Sequence, residues 1–357
     1  MRPLFVLLAL APAFSSVAAA ADSAGSWSPK NAAEYLDWRA DWWATWKPAL
    51  REQDTFCISC HTMLPYALGR PSLHAALHES SATAGEQRLI ANVQKRVRMW
   101  SELAPLYPDE KSGKGKSVES RGTEAVINAL VLTAYDAKSE DAKLALKNMW
   151  TFQLASGEKK GAFIWLQFHN EPWEGDDSQF WGATLAALAV SNTPKEYQAS
   201  AKENIAMLAD YLRREQAGES LQNRAVFLWA AAKMPGLVNA AEKKNIVDEL
   251  FSKQQADGGW SASSLQLSTW KRKDSTELPK VSDGYGTALV SWVLEQAGVA
   301  RTDARLRRGL AWLEANQDEG GQWPASSMNK QRDPASDAAK FMSDAATAFA
   351  SMALTAK

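Results

Sequence analysis

The chain has 357 residues, 46% of them hydrophobic and 23% charged, with 20 glycines and 14 prolines. That balance excludes a disordered, collagen-like or disulfide-dense chain and leaves room for one large domain or two ordinary ones. Forty Lys and Arg against 41 Asp and Glu give a net charge of −1, so the basic surface that a nucleic-acid binder needs for phosphates is missing.

The first segment has the pattern of a targeting signal. Arg2 supplies a positive start, the run from Leu4 to Phe14 is apolar, and Val17-Ala18-Ala19-Ala20-Ala21 offers small-residue cleavage sites. This predicts a secretory signal peptide over 1–21, cut near Ala20 or Ala21, and an exported, periplasmic protein over 22–357 as a single domain. The alternative is an uncleaved N-terminal anchor. No later run of about 18 apolar residues follows, so no transmembrane segment is expected after cleavage. Only two cysteines are present, both in one short motif, which leaves no disulfide framework.

The rest of the chain carries helical periodicity and an internal repeat. Amphipathic helices are expected at 31–50, 84–104, 139–155, 196–215, 240–255 and 302–317. Apolar ones are expected at 57–70, 121–135, 179–191, 222–233, 284–297 and 343–355. The period is about 45–55 residues, the range of helical repeat arrays. Helices apolar all round want burial, and amphipathic ones want one wet face. Six such pairs predict an all-α fold, an (α/α)6 toroid with six inner and six outer helices. An open solenoid of the same hairpins is the alternative.

The clearest repeat copies run from Arg308 through Gln317 to Gly320-Gly321-Gln322-Trp323, and from Leu250 through Gln254 to Gly258-Gly259-Trp260. A looser copy lies at 150–165. These Gln-x-x-x-Gly-x-Trp ends resemble the Gln–Trp motif of squalene–hopene cyclases and the wider terpenoid cyclase and protein prenyltransferase toroids. The resemblance implies the toroid fold and a bracing role for Trp260, Trp312 and Trp323. It accounts for part of an unusual total of 16 tryptophans.

Cys57-Ile58-Ser59-Cys60-His61 is C-x-x-C-H, the attachment signature of haem c. Thiols one helical turn apart would reach two vinyl groups of one covalent haem, with His61 as an axial iron ligand. A redox dithiol and half of a zinc site are the competing readings. Toroid geometry puts every inner-helix start at one end of the ring, so the haem would sit there. His74 and His78 follow the first inner helix, about 20 Å away at 1.5 Å per residue, and read as surface histidines. His169 and Met328 lie in loops at the expected haem end and are the candidate sixth ligands, beside an open position. Met328 also reads as a loop or core methionine.

The loop 161–177 is long and aromatic. It is expected to cover a haem face, to line a substrate cavity, or to pack its own aromatics. Within it, Glu174-Gly175-Asp176-Asp177-Ser178 resembles the Asp-x-Asp-Asp-Thr acid motif of squalene cyclases, which would make Asp176 a proton donor. Helix capping by Asp177 or Ser178 is the simpler expectation, and Asp283 and Asp344 hold equivalent positions.

Three functional readings follow. The first is an exported haem c redox protein serving a periplasmic electron-transfer partner or a small-molecule substrate. The second is a non-redox toroid enzyme of the terpenoid cyclase or polysaccharide lyase kind that uses acidic residues of the central cavity. A binding protein with a structural or sensing haem is the third reading.

Overall fold

A computed structural model describes residues 27–356; the expected signal segment over 1–21 lies outside the described residues. The longer helices alternate in role. The outer set is α1 (Pro29–Thr45), α3 (Ala84–Arg98), α5 (Glu140–Trp150), α7 (Lys202–Glu215), α9 (Ala240–Ser252) and α11 (Ala304–Ala315). The inner set is α2 (Met63–Gly69), α4 (Lys116–Asp136), α6 (Ser178–Ser191), α8 (Leu221–Lys233), α10 (Gly284–Gln296) and α12 (Phe341–Thr355). Each inner helix packs on the next, and α12 packs on α2, so the array closes. This is the (α/α)6 toroid, and the solenoid is excluded. Among the described residues no helix is long and apolar enough to cross a membrane.

The physical cause is the one written in the pattern. Nearly every residue of α6 and α12 is buried, whereas α3 and α11 bury one face. Side-chain caps from Thr83, Ser139, Ser220, Asn239, Asp283 and Asp303 start α3, α5, α8, α9, α10 and α11.

Three glutamines brace successive hairpins. Gln254 Nε2 donates to the Gly258 carbonyl and to the Arg305 carbonyl at the start of α11, both at 2.8 Å. Gln153 Nε2 donates in the same way to Gly161 and to Asn204 of α7. Gln317 closes the ring: its Oε1 accepts from the Ser28 amide at 2.6 Å, and its Nε2 donates to the Ser28 carbonyl at 3.1 Å. The indole nitrogens of Trp260 and Trp323 donate to the carbonyls of Leu250 and Leu313. Gly258 and Gly321 have φ of 97° and 88°, and a Cβ there would strike the next outer helix, so the repeat demands glycine twice over.

One element departs from expectation. The first inner helix begins at Met63, not at residue 57. A two-strand hairpin, β1 (Leu50–Arg51) with β2 (Thr55–Phe56), precedes it. Asn92 of α3 clamps the Phe56 amide and carbonyl at 2.9 and 3.0 Å, which holds the following backbone in an irregular turn.

Aromatic side chains plug the lumen. Trp173, Trp181, Trp229 and Phe349 surround a nearly closed apolar space of about 10 Å³, and Tyr285 packs edge-on against both Trp173 and Phe349. Near the loop end, Asp344 of α12 accepts from Arg39 and Tyr35 of α1 and from Thr62 before α2. Asp344→Ala leaves the buried Arg39 charge with only its 3.2 Å pair to the half-exposed Asp337 and is expected to lower unfolding free energy by about 3–5 kcal/mol. Gln317→Ala removes neutral bonds to the backbone of Ser28 and Gly321 and is expected to cost about 1–3 kcal/mol. Urea unfolding of both variants measures the difference, and equal losses would contradict this ordering.

Candidate active site

Three segments that precede inner helices meet at the loop end of the ring: 57–62 before α2, 161–177 before α6, and 324–340 before α12. The middle segment is pinned at several points. The Leu166 amide donates to Thr123 Oγ1 at 2.7 Å, and Trp165 Nε1 donates to the Trp173 carbonyl at 2.8 Å. Trp165 lies flat on Gly182 of α6, where any Cβ would meet its ring. Asn170 and Glu174 exchange backbone bonds of 3.0 and 2.8 Å, enclosing a turn that contains the cis Glu171–Pro172 peptide. Asn329, from the sixth hairpin, accepts from the Glu171 amide at 2.7 Å and donates to its carbonyl at 2.8 Å.

The result is a cavity of about 120 Å³ whose wall includes His61, Glu171, Trp173, Glu174 and Arg332. Both carboxyls are raised well above the ordinary carboxylate range. Burial, with help from Asp177 and Asp176, pushes Glu171 up to about 8. Burial also pushes Glu174 up to about 7, against the lowering pull of the Asn170 amide and the Lys273 and Lys116 charges. Arg332 donates to Ser327 Oγ at 3.3 Å, and among the described residues no carboxylate lies within salt-bridge distance of it. The wall thus carries two protonatable acids and one uncommitted guanidinium.

His61 is held from three sides. Its ring stacks on Phe341 at 3.8 Å between centroids and meets Trp43 edge-on at 4.9 Å. Its Nδ1 lies 2.9 Å from Thr62 Oγ1, and that hydroxyl donates its own proton to Asp344 Oδ2 at 2.6 Å. Nδ1 must therefore be the donor, which fixes the tautomer. Burial, followed by the charges of Arg39 and Arg332, lowers the imidazole to about 3, so it stays neutral.

The residues singled out in the sequence meet different fates. Asp176 is not on the cavity wall: its side chain is 79% exposed and it accepts from the 74%-exposed His169 at 2.5 Å. The acids on the wall are Glu174, the first residue of that motif, and Glu171, which stands outside it. The signal for both is the long aromatic loop that carries them, since aromatic packing is what buries their carboxyls. His169 is exposed at the surface, and Met328 is fully buried between Ser327 and Asn329, which line the cavity. Asp177 makes no cap bond to α6, and Asp344 is taken by Arg39; of the equivalent positions, Asp283 alone caps, through the Gly286 amide at 2.8 Å. His74 is hydrogen-bonded to buried Glu86 at 2.9 Å, and His78 is exposed.

Fold and site together define an all-α (α/α)6 toroid with an acidic mouth. No family model and no curated protein matches the chain. Solved structures do share its fold. A structure described as a wild-type glycosidase has a TM-score of 0.53 at 12% identity, with 91% of this chain and 97% of that one covered. The unsaturated glucuronyl hydrolase of Bacillus sp. GL1, described as responsible for glycosaminoglycan degradation, has a TM-score of 0.53 at 10% identity, with 92% and 97% covered. A third, titled as a UGL variant with dGlcA-Glc-Rha-Glc, has the same score at 10% identity, with 91% and 96% covered.

The expectation of a haem c redox protein is corrected here. The three solved structures above that share the fold are described by saccharides or glycosidase activity, none of them by haem. The residues of the motif also do not fit the group. Cys57 and Cys60 stand in an irregular turn, not on one helical turn, and both are buried. Burial pushes the Cys57 thiol up to about 11, and raises Cys60 further above its usual range. The space that both thiols line measures about 30 Å³, far below the roughly 300–1,000 Å³ typical of cofactor pockets. Among the described residues no three His, Cys, Asp or Glu converge on a point that could hold a metal ion. The motif's spacing is real, but the His61 ring is packed by Phe341, Trp43 and Trp173 at 3.8, 4.9 and 6.0 Å between centroids.

The raised carboxyls have a sign-definite effect on stability. Folded Glu171 binds its proton more tightly than the unfolded chain, whose value lies near 4.5, so its favourable contribution is complete below 4.5 and fades as pH rises through about 8. Glu171→Gln cannot ionise. Relative to the unsubstituted protein, its melting temperature is expected to gain between about pH 5 and about pH 9. Parallel melting curves at both pH values would show that the carboxyl is not desolvated.

Proposed function

We propose that the protein is a non-redox, saccharide-cleaving toroid enzyme whose chemistry takes place at the acidic mouth. The observation that carries this reading is the pair Glu171 and Glu174, raised by burial to about 8 and about 7 on one cavity wall. Two acids with separated values near neutrality can divide the acid and base roles of glycosidic bond cleavage. Glu171, protonated up to the higher pH, donates its proton to the leaving glycosidic oxygen. Glu174, ionised at the lower pH, takes a proton from the attacking water. Water adds to the anomeric carbon, the carbon–oxygen bond breaks, and the proton count balances. Neutral His61 offers a second polar contact to a sugar hydroxyl.

The glycosidase descriptions of the fold's relatives support a saccharide over an isoprenoid substrate. So does Asp176: the residue that matched the cyclase proton donor is at the surface. The Gln–Trp braces resemble those of squalene–hopene cyclases, yet here they belong to the scaffold and leave the chemistry open. Export, expected from residues 1–21, would deliver such an enzyme to extracytoplasmic polysaccharide.

The test is release of new reducing ends from a panel of neutral and acidic oligosaccharides. Activity is expected only where Glu174 is ionised and Glu171 protonated, giving a bell-shaped optimum between about 7 and about 8. Glu171→Gln and Glu174→Gln should each lose about 10²–10⁴-fold in kcat/KM, and Asp176→Asn should stay near the unsubstituted rate. Full activity in either Gln variant, or no cleavage across the panel, would refute the assignment.

A further inference from the structure

Ser327 and Arg332 wall the acidic cavity on one side and a second, wider groove on the other. The groove holds about 690 Å³ and runs from the cavity mouth over the loops before α10 and α12 to the C-terminal end of α11. That volume lies within the range of ligand sites. Its wall combines three kinds of group.

The first is an aromatic face. Trp312 of α11 is half-buried, its indole nitrogen held by Asp257 at 3.2 Å. The second is a set of amides with spare capacity. Gln322 donates through Nε2 to Asp318 at 2.9 Å, but its Oε1 is buried with no partner. Asn316, one turn from Trp312, is exposed and uses only its Nδ2, on the Trp312 carbonyl. The third is positive charge. Arg272 is only 7% exposed and donates to carbonyls of Ser327 and Glu277 and to Thr276. Among the described residues, neither Arg272 nor Arg332 has a carboxylate within salt-bridge distance. Lys340 lies 3.7 Å from Asp337 and sits over the exposed Trp38 ring. Two acids also line the groove, but Asp283 is spent on the Gly286 and Ala262 amides, and Glu277 is turned to solvent, 3.9 Å from Lys280.

We propose that this groove binds the chain of a uronate-bearing polysaccharide and leads it past Arg332 to the acidic cavity. The role of the cavity at the end of that path rests on the saccharide-cleaving reading above; the groove itself does not. A pyranose ring presents an apolar C–H face that suits an indole. Its hydroxyls are the donors that the unpartnered Gln322 Oε1 lacks, and a buried acceptor without a donor is costly. A carboxylate on the ring supplies the counter-charge that both guanidinium groups lack, and it can pair bidentately with Arg332, whose hydrogen bond to Ser327 uses Nε and leaves both Nη atoms open. A neutral glycan leaves those charges uncompensated. An acidic peptide leaves the Trp312 face without a matching ring.

The experiment is affinity electrophoresis of the full chain carrying Glu174→Gln, so that binding is read without cleavage. The gels contain alginate, polygalacturonate or hyaluronan, with dextran and polyglutamate as comparisons. Retardation by at least one uronic polysaccharide, and by neither comparison polymer, is expected. Trp312→Ala should weaken it about tenfold, a factor worth 1.4 kcal/mol. Asn316→Asp, a surface change that places a negative charge in the groove, should weaken it too and guards against misfolding of the Trp variant. No retardation by any uronic polymer, equal retardation by polyglutamate or dextran, or retardation that neither variant moves would overturn the proposal. Retardation by a uronic polymer together with absence of cleavage by the unsubstituted protein keeps the groove and removes the catalytic reading. Cleavage without retardation does the reverse.

Discussion

The buried carboxylate of Asp344 is the joint on which ring and site both depend. It accepts four hydrogen bonds: Arg39 Nε at 2.8 Å, Arg39 Nη2 at 3.0 Å, Tyr35 Oη at 2.7 Å and Thr62 Oγ1 at 2.6 Å. Its donors come from α1 and from the turn before α2, while Asp344 itself stands in the first turn of α12. A toroid has one place where its first and last hairpins must find each other, and this cluster stands there. Burial raises the Asp344 carboxyl, and Arg39, Thr62 and Tyr35 pull it back. Such a pair gives little net stability over an apolar contact, but breaking it leaves the buried Arg39 charge with only its pair to the half-exposed Asp337. Its contribution is therefore specificity of closure, with Gln317 on Ser28 as a second, neutral latch.

The same joint shapes the chemistry. Because Thr62 gives its hydroxyl proton to Asp344, it can only accept from His61, and the imidazole is set in one tautomer beside the cavity. The aromatic plug of Trp173, Trp181 and Trp229 closes the lumen below. Polar chemistry is thereby confined to the mouth, where loops before inner helices converge. Desolvation there does what no local motif announces: it lifts two glutamates into the neutral range while leaving the exposed Asp176 outside the wall.

Much of the scaffold was legible in the sequence, since the alternation of apolar and amphipathic helices needs only local periodicity. The Gln–Gly–Trp braces were equally plain, because each is built within one hairpin end plus one backbone contact to the next. The errors share a different origin. C-x-x-C-H specifies spacing, not the empty volume a cofactor requires, and the surroundings of His61 are set by Trp43, Trp173 and Phe341 from three separate segments. Asp344 looked like a helix cap by equivalence with Asp283, but the distant Arg39 outcompetes the backbone for it. Glu171 carries no motif. Its place is set by Asn329, 158 residues later in the chain, and by an adjacent Gly175 that leaves room for its carboxyl.

These failures have a common physical root. A site assembled at the rim of a closed ring draws on segments whose contacts exist only after closure. Asn329 and Asp344 both belong to the sixth hairpin, and they hold, respectively, the backbone of Glu171 in the third and the hydroxyl that orients His61 in the first. If the sixth hairpin detaches, Glu171 loses its two amide bonds and His61 its tautomeric anchor, while α4, α6 and α8 keep their mutual packing. The loss of the site thus requires far less than global unfolding. A ring in which the last hairpin positions the functional groups of earlier ones makes the active geometry conditional on complete folding, and hides that geometry from any reading confined to local sequence.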